Sequence, residues 1–230
     1  MNPKQRAAEA ALEFVHSDMV IGLGTGSTAD FFLKALGAAI KEGKVRNVVG
    51  VPTSRQSERR AQELGIPLAT LSQFPHPVIT IDGADEVAPN LDLIKGLGGA
   101  LLREKIVAQN SKKLIIIADA GKAVPRLGAK SMLPVEVVPF EYEIQEEFFR
   151  SQGATPVLRR KADNEIFVTD NGNYIYDCRF PDGIANPAAL DDILHRRAGI
   201  VETGLFLGIA SVVLIADDDH LDRRERKMAP

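Results

Sequence analysis

The sequence predicts an α/β fold: a doubly wound, mostly parallel, Rossmann-like sheet with a smaller α+β subdomain of ferredoxin-like type. Three observations carry this expectation. Short apolar runs alternate with helical segments from Pro3 to Lys122, the rhythm that builds a parallel sheet covered on both faces. The alternation breaks near Leu127, where a hairpin signal appears, and apolar strand character returns after Gly199. Residues 1–126 and 200–230 are therefore expected to form the Rossmann-like domain, and residues 127–199 the small subdomain.

Pro3 to His16 reads as a helix, and Met19 to Gly22 as a buried strand ending in glycine. A helix follows from Ser27, then a strand at Asn47–Val51, a helix at Ser54–Leu64 and a short strand at Pro67–Ala69. Pro77–Ile81 and Lys113–Ala118 are further strands around a helix at Ala100–Gln109. Beyond Leu127 come a strand at Val135–Val138 and a helix at Glu141–Ser151. Glu165–Val168 and Tyr174–Asp177 then flank Asn171-Gly172, the dipeptide that most readily closes a tight hairpin. Asn186-Pro187 is an N-cap followed by proline at the first helical position, opening a helix to Arg196. Leu205–Ile209 and Val212–Ile215 are apolar again, and Asp217–Pro230 reads as a solvated mixed-charge tail.

Composition narrows the class. With 230 residues, 45% of them hydrophobic, the chain can bury a substantial core. A net charge of -3 argues against nucleic acid or an anionic membrane as the main partner. The single cysteine, Cys178, excludes an internal disulfide and any multi-cysteine metal site and suits a reducing compartment. No apolar run approaches the roughly 20 residues that cross a bilayer, and the N-terminus lacks the apolar core of a signal peptide, so the expected address is the cytoplasm.

Four segments carry chemistry, and all fall where loops leave the carboxyl ends of strands. Gly22-Leu23-Gly24-Thr25-Gly26-Ser27-Thr28 leads directly into a helix. Its glycines admit an anion close to the backbone, the helix start supplies N–H groups and a positive dipole end, and the hydroxyls add donors. The alternative is a tight turn in which Ser27 or Thr28 merely caps the helix. A dinucleotide reading lacks an acid at Val51-Pro52-Thr53, and a P-loop reading fails because Gly26 precedes Ser27 where lysine is required. Asp82-Gly83-Ala84-Asp85-Glu86 could turn two carboxylates toward one cleft for proton handling; solvated turn acids, or a hard-metal site of Asp82, Asp85 and Asp92, are the alternatives. In Lys95-Gly96-Leu97-Gly98-Gly99-Ala100-Leu101-Leu102-Arg103-Glu104-Lys105, the glycines bring a backbone near a ligand and Glu104 lies just over one turn into a helix, where it is either a pocket residue or one more charge on a solvated face. Asp119-Ala120-Gly121-Lys122 places Lys122 beside the same cleft or on the surface. None of the four histidines lies in these loops, and no serine sits in a nucleophile elbow.

Taken in order, these motifs closely resemble type A ribose-5-phosphate isomerase. The likeness extends to Pro52-Thr53-Ser54 with Gln56-Ser57, to Leu133-Pro134-Val135-Glu136-Val137, to Thr169-Asp170-Asn171-Gly172-Asn173 and to Gly204-Leu205-Phe206, covering nearly the whole chain apart from the last dozen residues. The resemblance implies interconversion of ribose 5-phosphate and ribulose 5-phosphate with no cofactor and no metal, by a homodimer or homotetramer. It implies Glu104 as the base that carries a proton between C1 and C2, Asp82 and Asp85 as groups serving the sugar hydroxyls and ring opening, and Lys95 beside the developing oxyanion. Thr25, Gly26, Ser27, Thr28, Lys122 and Lys4 would hold the phosphate, with Gly96, Gly98 and Gly99 along the sugar. The residue types suit the chemistry: an enediolate needs one base at carbon and fixed donors or positive charge at oxygen. A sugar-phosphate sensor on the same scaffold would need an output module that the chain has no segment for, and an amino-sugar phosphate isomerase is expected to need a histidine beside its acids. A strong chelator of divalent ions should leave ketose formation from ribose 5-phosphate unchanged; loss of activity that an added divalent ion restores would assign the aspartates to a metal.

Overall fold

The computed structural model describes residues 2–226, and within them the chain begins as its first residues dictate. Asn2 caps helix α1 (Pro3–Ala10), its side-chain oxygen accepting from Lys4 N–H at 3.0 Å, and Pro3 occupies a position where a missing N–H costs nothing. The helix expected to reach His16 tightens to a 3-10 turn over Ala11–Phe14 and stops there. Strand β1 (Val20–Leu23), helix α2 (Ser27–Lys41), strand β2 (Val49–Pro52), helix α3 (Arg55–Glu63) and strand β3 (Ile79–Gly83) then alternate. Ser54 starts α3 through a reciprocal capping box with Ser57, which satisfies two backbone donors at once. Two-residue strands β4 (Glu86–Val87) and β5 (Leu93–Ile94) precede helix α4 (Leu101–Asn110) and strand β6 (Leu114–Asp119). The remainder comprises β7 (Leu133–Val137), α5 (Ile144–Ser151), β8 (Thr155–Leu158), β9 (Tyr174–Arg179), α6 (Pro187–His195), β10 (Ile200–Thr203), β11 (Leu205–Phe206), β12 (Ala210–Ala216) and β13 (Leu221–Glu225).

These elements divide into two units. The first holds 2–84, Arg103–Ala123 and 208–226; the second holds Asp85–Leu102 and Val124–Leu207. Residues 85–102, expected with the sheet domain, thus group with the second unit, because β4 and β5 pair with β11 in a small sheet of their own.

In the first unit six strands run in the order β13-β12-β6-β3-β1-β2, all parallel except β13, which is antiparallel to β12. From β1 the chain moves to β2 on one side and returns to β3 on the other, so the strand order reverses at β1 and β3. Their carboxyl ends form the topological switch point, where such sheets bind ligands. Ile21, Leu23, Ile81, Ile115, Ile117, Phe32 and Leu36 fill the core around these strands. Gly22 is confined to glycine, since a Cβ there would lie 1.9 Å from Thr80 Oγ1 and 2.8 Å from Val107 Cγ1.

The second unit has the chain order β7-α5-β8-β9-α6-β10 and the antiparallel sheet order β10-β7-β9-β8, which is the ferredoxin-like arrangement. Its core is built from Val135, Val137, Phe149, Tyr176, Cys178 and Leu194. Tyr176 meets Phe149 edge to face at 5.4 Å, and burial pushes the Tyr176 hydroxyl up to about 12.

Three expectations about local structure are corrected. Pro67–Ala69 makes a single bridge, Gly50 to Leu68, rather than a strand. Asn171-Gly172 does close a turn, with Gly172 at φ 84° and its N–H donating to Thr169 O at 3.0 Å. The ladder beyond that turn does not form, because both edges of β9 are already taken, by β7 and by the unpredicted β8. Finally, Asp217–Glu225 is largely exposed as expected but is not an unstructured tail: Leu221–Glu225 is the edge strand β13, and 227–230 lie outside the described residues.

Cys178 lies in β9, and burial pushes its thiol above the usual range. The thiolate is therefore scarce at working pH. A thiol reagent at pH 8 should leave the native protein unlabelled and titrate one thiol once denaturant unfolds it; rapid labelling of the native chain would contradict this packing.

Candidate active site

At the switch point, backbone approaches backbone. Gly24 N–H continues the ladder by donating to Ile81 O at 2.9 Å, and a Cβ on Gly24 would come within 2.3 Å of Asp82 Oδ1 and 2.5 Å of Asp82 Cα. Only glycine fits there. Asp82, 1% exposed at the end of β3, uses Oδ1 to accept from Thr25 N–H at 3.0 Å and from Gly83 N–H at 2.7 Å. One carboxylate oxygen thereby fixes both the turn after β1 and the turn after β3.

The glycine loop is anchored from behind by hydroxyl groups. Thr25 Oγ1 lies 2.8 Å from Thr53 Oγ1 and donates to Ser54 Oγ at 2.8 Å, while Thr53 Oγ1 donates to Leu23 O at 2.9 Å. The Thr25 side chain is thus engaged with the loop after β2, and Thr28 is buried beside it. Sequence reasoning attached no role to Thr53 or Ser54, although both stand in the motif Pro52-Thr53-Ser54. Gly26, at φ 104°, is the N-cap residue of α2, and no side chain caps that helix. Neither Ser27 nor Thr28 acts as cap, so the alternative reading of the loop does not hold. A helix start without a side-chain cap presents N–H groups and a positive dipole end to an anion. Lys4 adds a cation at the same place: its ammonium donates to the exposed Ser27 Oγ at 2.9 Å. Lys122 stands half-buried in the 3-10 turn Ala120–Lys122 that follows β6, whose N-cap Asp119 accepts from Gly121 N–H.

Glu104 is the fourth residue of α4 and is 4% exposed; its neighbour Lys105 is buried as well. The solvated-face alternative fails for Glu104, while Arg103 is half-buried and Ile106 carries the exposed side.

The second unit holds the remaining residues that the sequence singled out. Asp85 is half-buried; its N–H donates to Ile94 O at 2.8 Å, and its Oδ2 accepts from Leu97 N–H at 2.9 Å. Lys95 is 2% exposed, its N–H donates to Gly204 O at 2.9 Å, and its ammonium lies 5.5 Å from the ring centre of Phe206, a cation–π arrangement. Gly96 (φ 99°) and Gly99 (φ 82°) adopt the left-handed backbone that shapes this loop, closed by Gly99 N–H donating to Gly96 O at 2.9 Å, and Gly98 is exposed at its tip. Glu86, the last acid of Asp82–Glu86, is fully buried and accepts from the N–H groups of Gly128, Lys130 and Ser131 at 2.5–2.7 Å. It is a structural anchor. Glu136 is buried too, with Oε1 accepting from Thr169 Oγ1 and Asn173 Nδ2, both at 2.9 Å, so the segments Leu133–Val137 and Thr169–Asn173 are joined through one carboxylate. The structure therefore joins Asp82 to Thr25 and Lys4 to Ser27 in one unit, and Asp85 to the Lys95–Gly99 loop in the other. Asp92, once a candidate metal ligand, accepts from Asn90 Nδ2 at 2.7 Å, and among the described residues no group of three or more His, Cys, Asp or Glu side chains is arranged to hold a metal ion.

Comparisons with known proteins agree with one another. Residues 49–220 match the family model described as ribose 5-phosphate isomerase A (phosphoriboisomerase A). The chain is 50% identical over 218 residues to ribose-5-phosphate isomerase A of Roseiflexus castenholzii, spanning 95% of this chain and 93% of that one. It is 46% identical over 220 residues to the probable ribose-5-phosphate isomerase 2 of Arabidopsis thaliana, spanning 94% and 83%. Among solved structures, ribose 5-phosphate isomerase from Plasmodium falciparum is similar with a TM-score of 0.94 at 40% identity, covering 97% of this chain and 98% of that one. A D-ribose-5-phosphate isomerase in complex with phospho-erythronic acid gives the same TM-score and identity over 98% of this chain and 100% of that one.

The double acceptance at Asp82 generates a prediction. Asp82→Ala should lower stability by about 3 kcal/mol, because the buried Thr25 N–H and the part-buried Gly83 N–H lose a charged acceptor, whereas Asp82→Asn, whose oxygen still accepts, should lose about 1 kcal/mol. Denaturant midpoints measure both, and equal losses would show that the carboxylate oxygen does not hold the two turns.

Proposed function

This chain belongs to the ribose 5-phosphate isomerase A family and interconverts D-ribose 5-phosphate and D-ribulose 5-phosphate through an enediolate in the non-oxidative pentose phosphate pathway, and from that premise we propose how its residues divide the work. Glu104 is the base at carbon. It takes the C2 proton of the open-chain aldehyde and returns it to C1 of the enediolate, and the observation that carries this assignment is a buried carboxyl side chain in the first turn of a helix that follows a glycine loop.

As C2 loses its proton, negative charge collects on O1, and Lys95, buried and cationic, is the group that stabilises it. Asp82 and Asp85 serve the sugar hydroxyls: they open the ring and move the proton from O2 to O1 that the carbon-to-carbon transfer requires. The start of α2, with Thr25, Gly26, Ser27 and Thr28, takes the phosphate together with Lys4 and Lys122, while Gly96, Gly98 and Gly99 let the sugar pass close to the backbone. Phosphate binding is remote from the reacting carbons. Its free energy is spent on placing C1 and C2 against Glu104 rather than on chemistry.

The partner in this reading is a small sugar phosphate, not nucleic acid or a membrane; among the described residues no helix is long and apolar enough to cross one. A homodimer or homotetramer in the cytoplasm is the assembly we propose, supported by the family resemblance and by one free, buried thiol that suits a reducing compartment.

Glu104→Gln should lower turnover by about 10³-fold while the inhibition constant of inorganic phosphate moves less than about twofold. In deuterated water the native enzyme should place deuterium at the exchanging carbon and the variant should not. A variant that keeps most of its rate would remove Glu104 from the role.

A further inference from the structure

Beyond the groups assigned to the substrate, we infer that Arg159, held by Asp177, is a positioning residue for the reaction: it sets the peptides of the Lys95–Gly99 loop and, through Leu97, the Asp85 carboxylate. The inference rests on the functional reading above.

Arg159 directly follows β8 and is fixed by its own backbone on both sides: its N–H donates to Ile175 O at 2.8 Å, and its C=O accepts from Phe167 N–H at 3.0 Å. Its guanidinium divides its donors by face. Nε donates to Asp177 Oδ2 at 2.8 Å and Nη2 donates to Asp177 Oδ1, a bidentate pair in which both side chains are only 11% exposed. Nη1 then donates to Gly96 O and to Leu97 O, each at 3.1 Å. Asp177 thus aims the fork, and the fork grips two consecutive carbonyls far away in sequence.

The consequence follows from peptide geometry. In a trans peptide the C=O and N–H point in opposite directions, so drawing the Gly96 and Leu97 carbonyls toward Arg159 turns the N–H groups of Leu97 and Gly98 away from it. Leu97 N–H is the group that meets Asp85 Oδ2 at 2.9 Å, and Gly98 is exposed. The Asp85 carboxylate and the Gly98 N–H are therefore oriented by a side chain that touches neither. Phe167 completes the support: the guanidinium carbon lies 5.6 Å from its ring centre, and the ring edge occupies the place of a side chain at Gly99, where a Cβ would lie 2.4 Å from Phe167 Cζ. Lysine cannot reproduce this arrangement, because a single ammonium does not span a carboxylate and two carbonyls in one plane.

The test compares Arg159→Met, Arg159→Lys, Asp177→Asn and Arg159→Ala under steady-state kinetics with ribose 5-phosphate. Arg159→Met should lower kcat by about 10- to 100-fold, the scale expected when a reacting group is misplaced by about an ångström, with KM changed less than about threefold and phosphate inhibition within about twofold of native. Arg159→Lys should recover only a small part of the loss, and Asp177→Asn should lose about three- to tenfold in kcat. Millimolar guanidinium, well below denaturing levels, should raise kcat of Arg159→Ala several-fold where ammonium at equal concentration does not. Native kcat in Arg159→Met, full recovery with lysine, or a loss that tracks a lowered Tm and that guanidinium does not reverse would overturn the proposal. Where Arg159→Met fails to fold, native kcat in Asp177→Asn overturns it instead. Glu104→Gln, run in parallel, separates the two levels: retained rate there defeats the functional reading, whereas an inactive Glu104→Gln beside a native-like Arg159→Met defeats this inference alone.

Discussion

One carboxylate oxygen, Asp82 Oδ1, accepts the N–H of Thr25 and the N–H of Gly83, and the loops of the first unit depend on that pair of hydrogen bonds. The arrangement requires β1 and β3 to run so close at their carboxyl ends that Gly24 has no space for a side chain. Everything that follows in the chain inherits this spacing. The start of α2 is where it is because Thr25 is tied to Asp82 through its backbone and to Thr53 and Ser54 through its hydroxyl. The start of α2 and the Asp82 carboxylate are thus parts of one hydrogen-bonded object, so neither turn shifts without the other.

A second constraint is electrostatic. Burying a carboxylate is expensive unless donors converge on it, and this protein buries several. Glu86 is met by three backbone N–H groups and Glu136 by a hydroxyl and side-chain amides. Asp177 is met by a guanidinium. The donors in the first two cases are neutral, which keeps each carboxylate in place without adding a positive charge to the neighbourhood. In the second unit the cation beneath the glycine loop, Arg159, is taken up by Asp177 in the same plane, so its charge is spent on orientation.

Much of this was legible in the sequence because the relevant signals are local. Asn186-Pro187 announces a helix start by capping chemistry, and α6 begins there. The parallel strands were legible from their apolar runs. What escaped depended on partners distant in sequence. β8 has one buried residue, Pro156, and one half-buried, Leu158, and it becomes a strand because β9 offers it an edge. The same occupied edge is why Glu165–Val168 does not pair across Asn171-Gly172. β13 is almost wholly charged and reads as tail until β12 is seen beside it. Residue types and glycine spacing singled out the candidate loops, but the engagement of Thr25 with Thr53 and Ser54, the structural role of Glu86 and the reach of Arg159 to Gly96 are three-dimensional facts that leave no periodic trace.

The charged edge strand has a consequence for self-association. β13 carries Asp222, Arg223, Arg224 and Glu225 in succession along the open side of the six-stranded sheet. If a second copy continued that sheet with its own β13, antiparallel and centred on the same point, Asp222 would face Glu225 and Arg223 would face Arg224, like charge against like at every such pair. A strand of this palindromic sign pattern terminates the sheet by repelling its own image, which guards the growing end of the fold against propagating into a fibre.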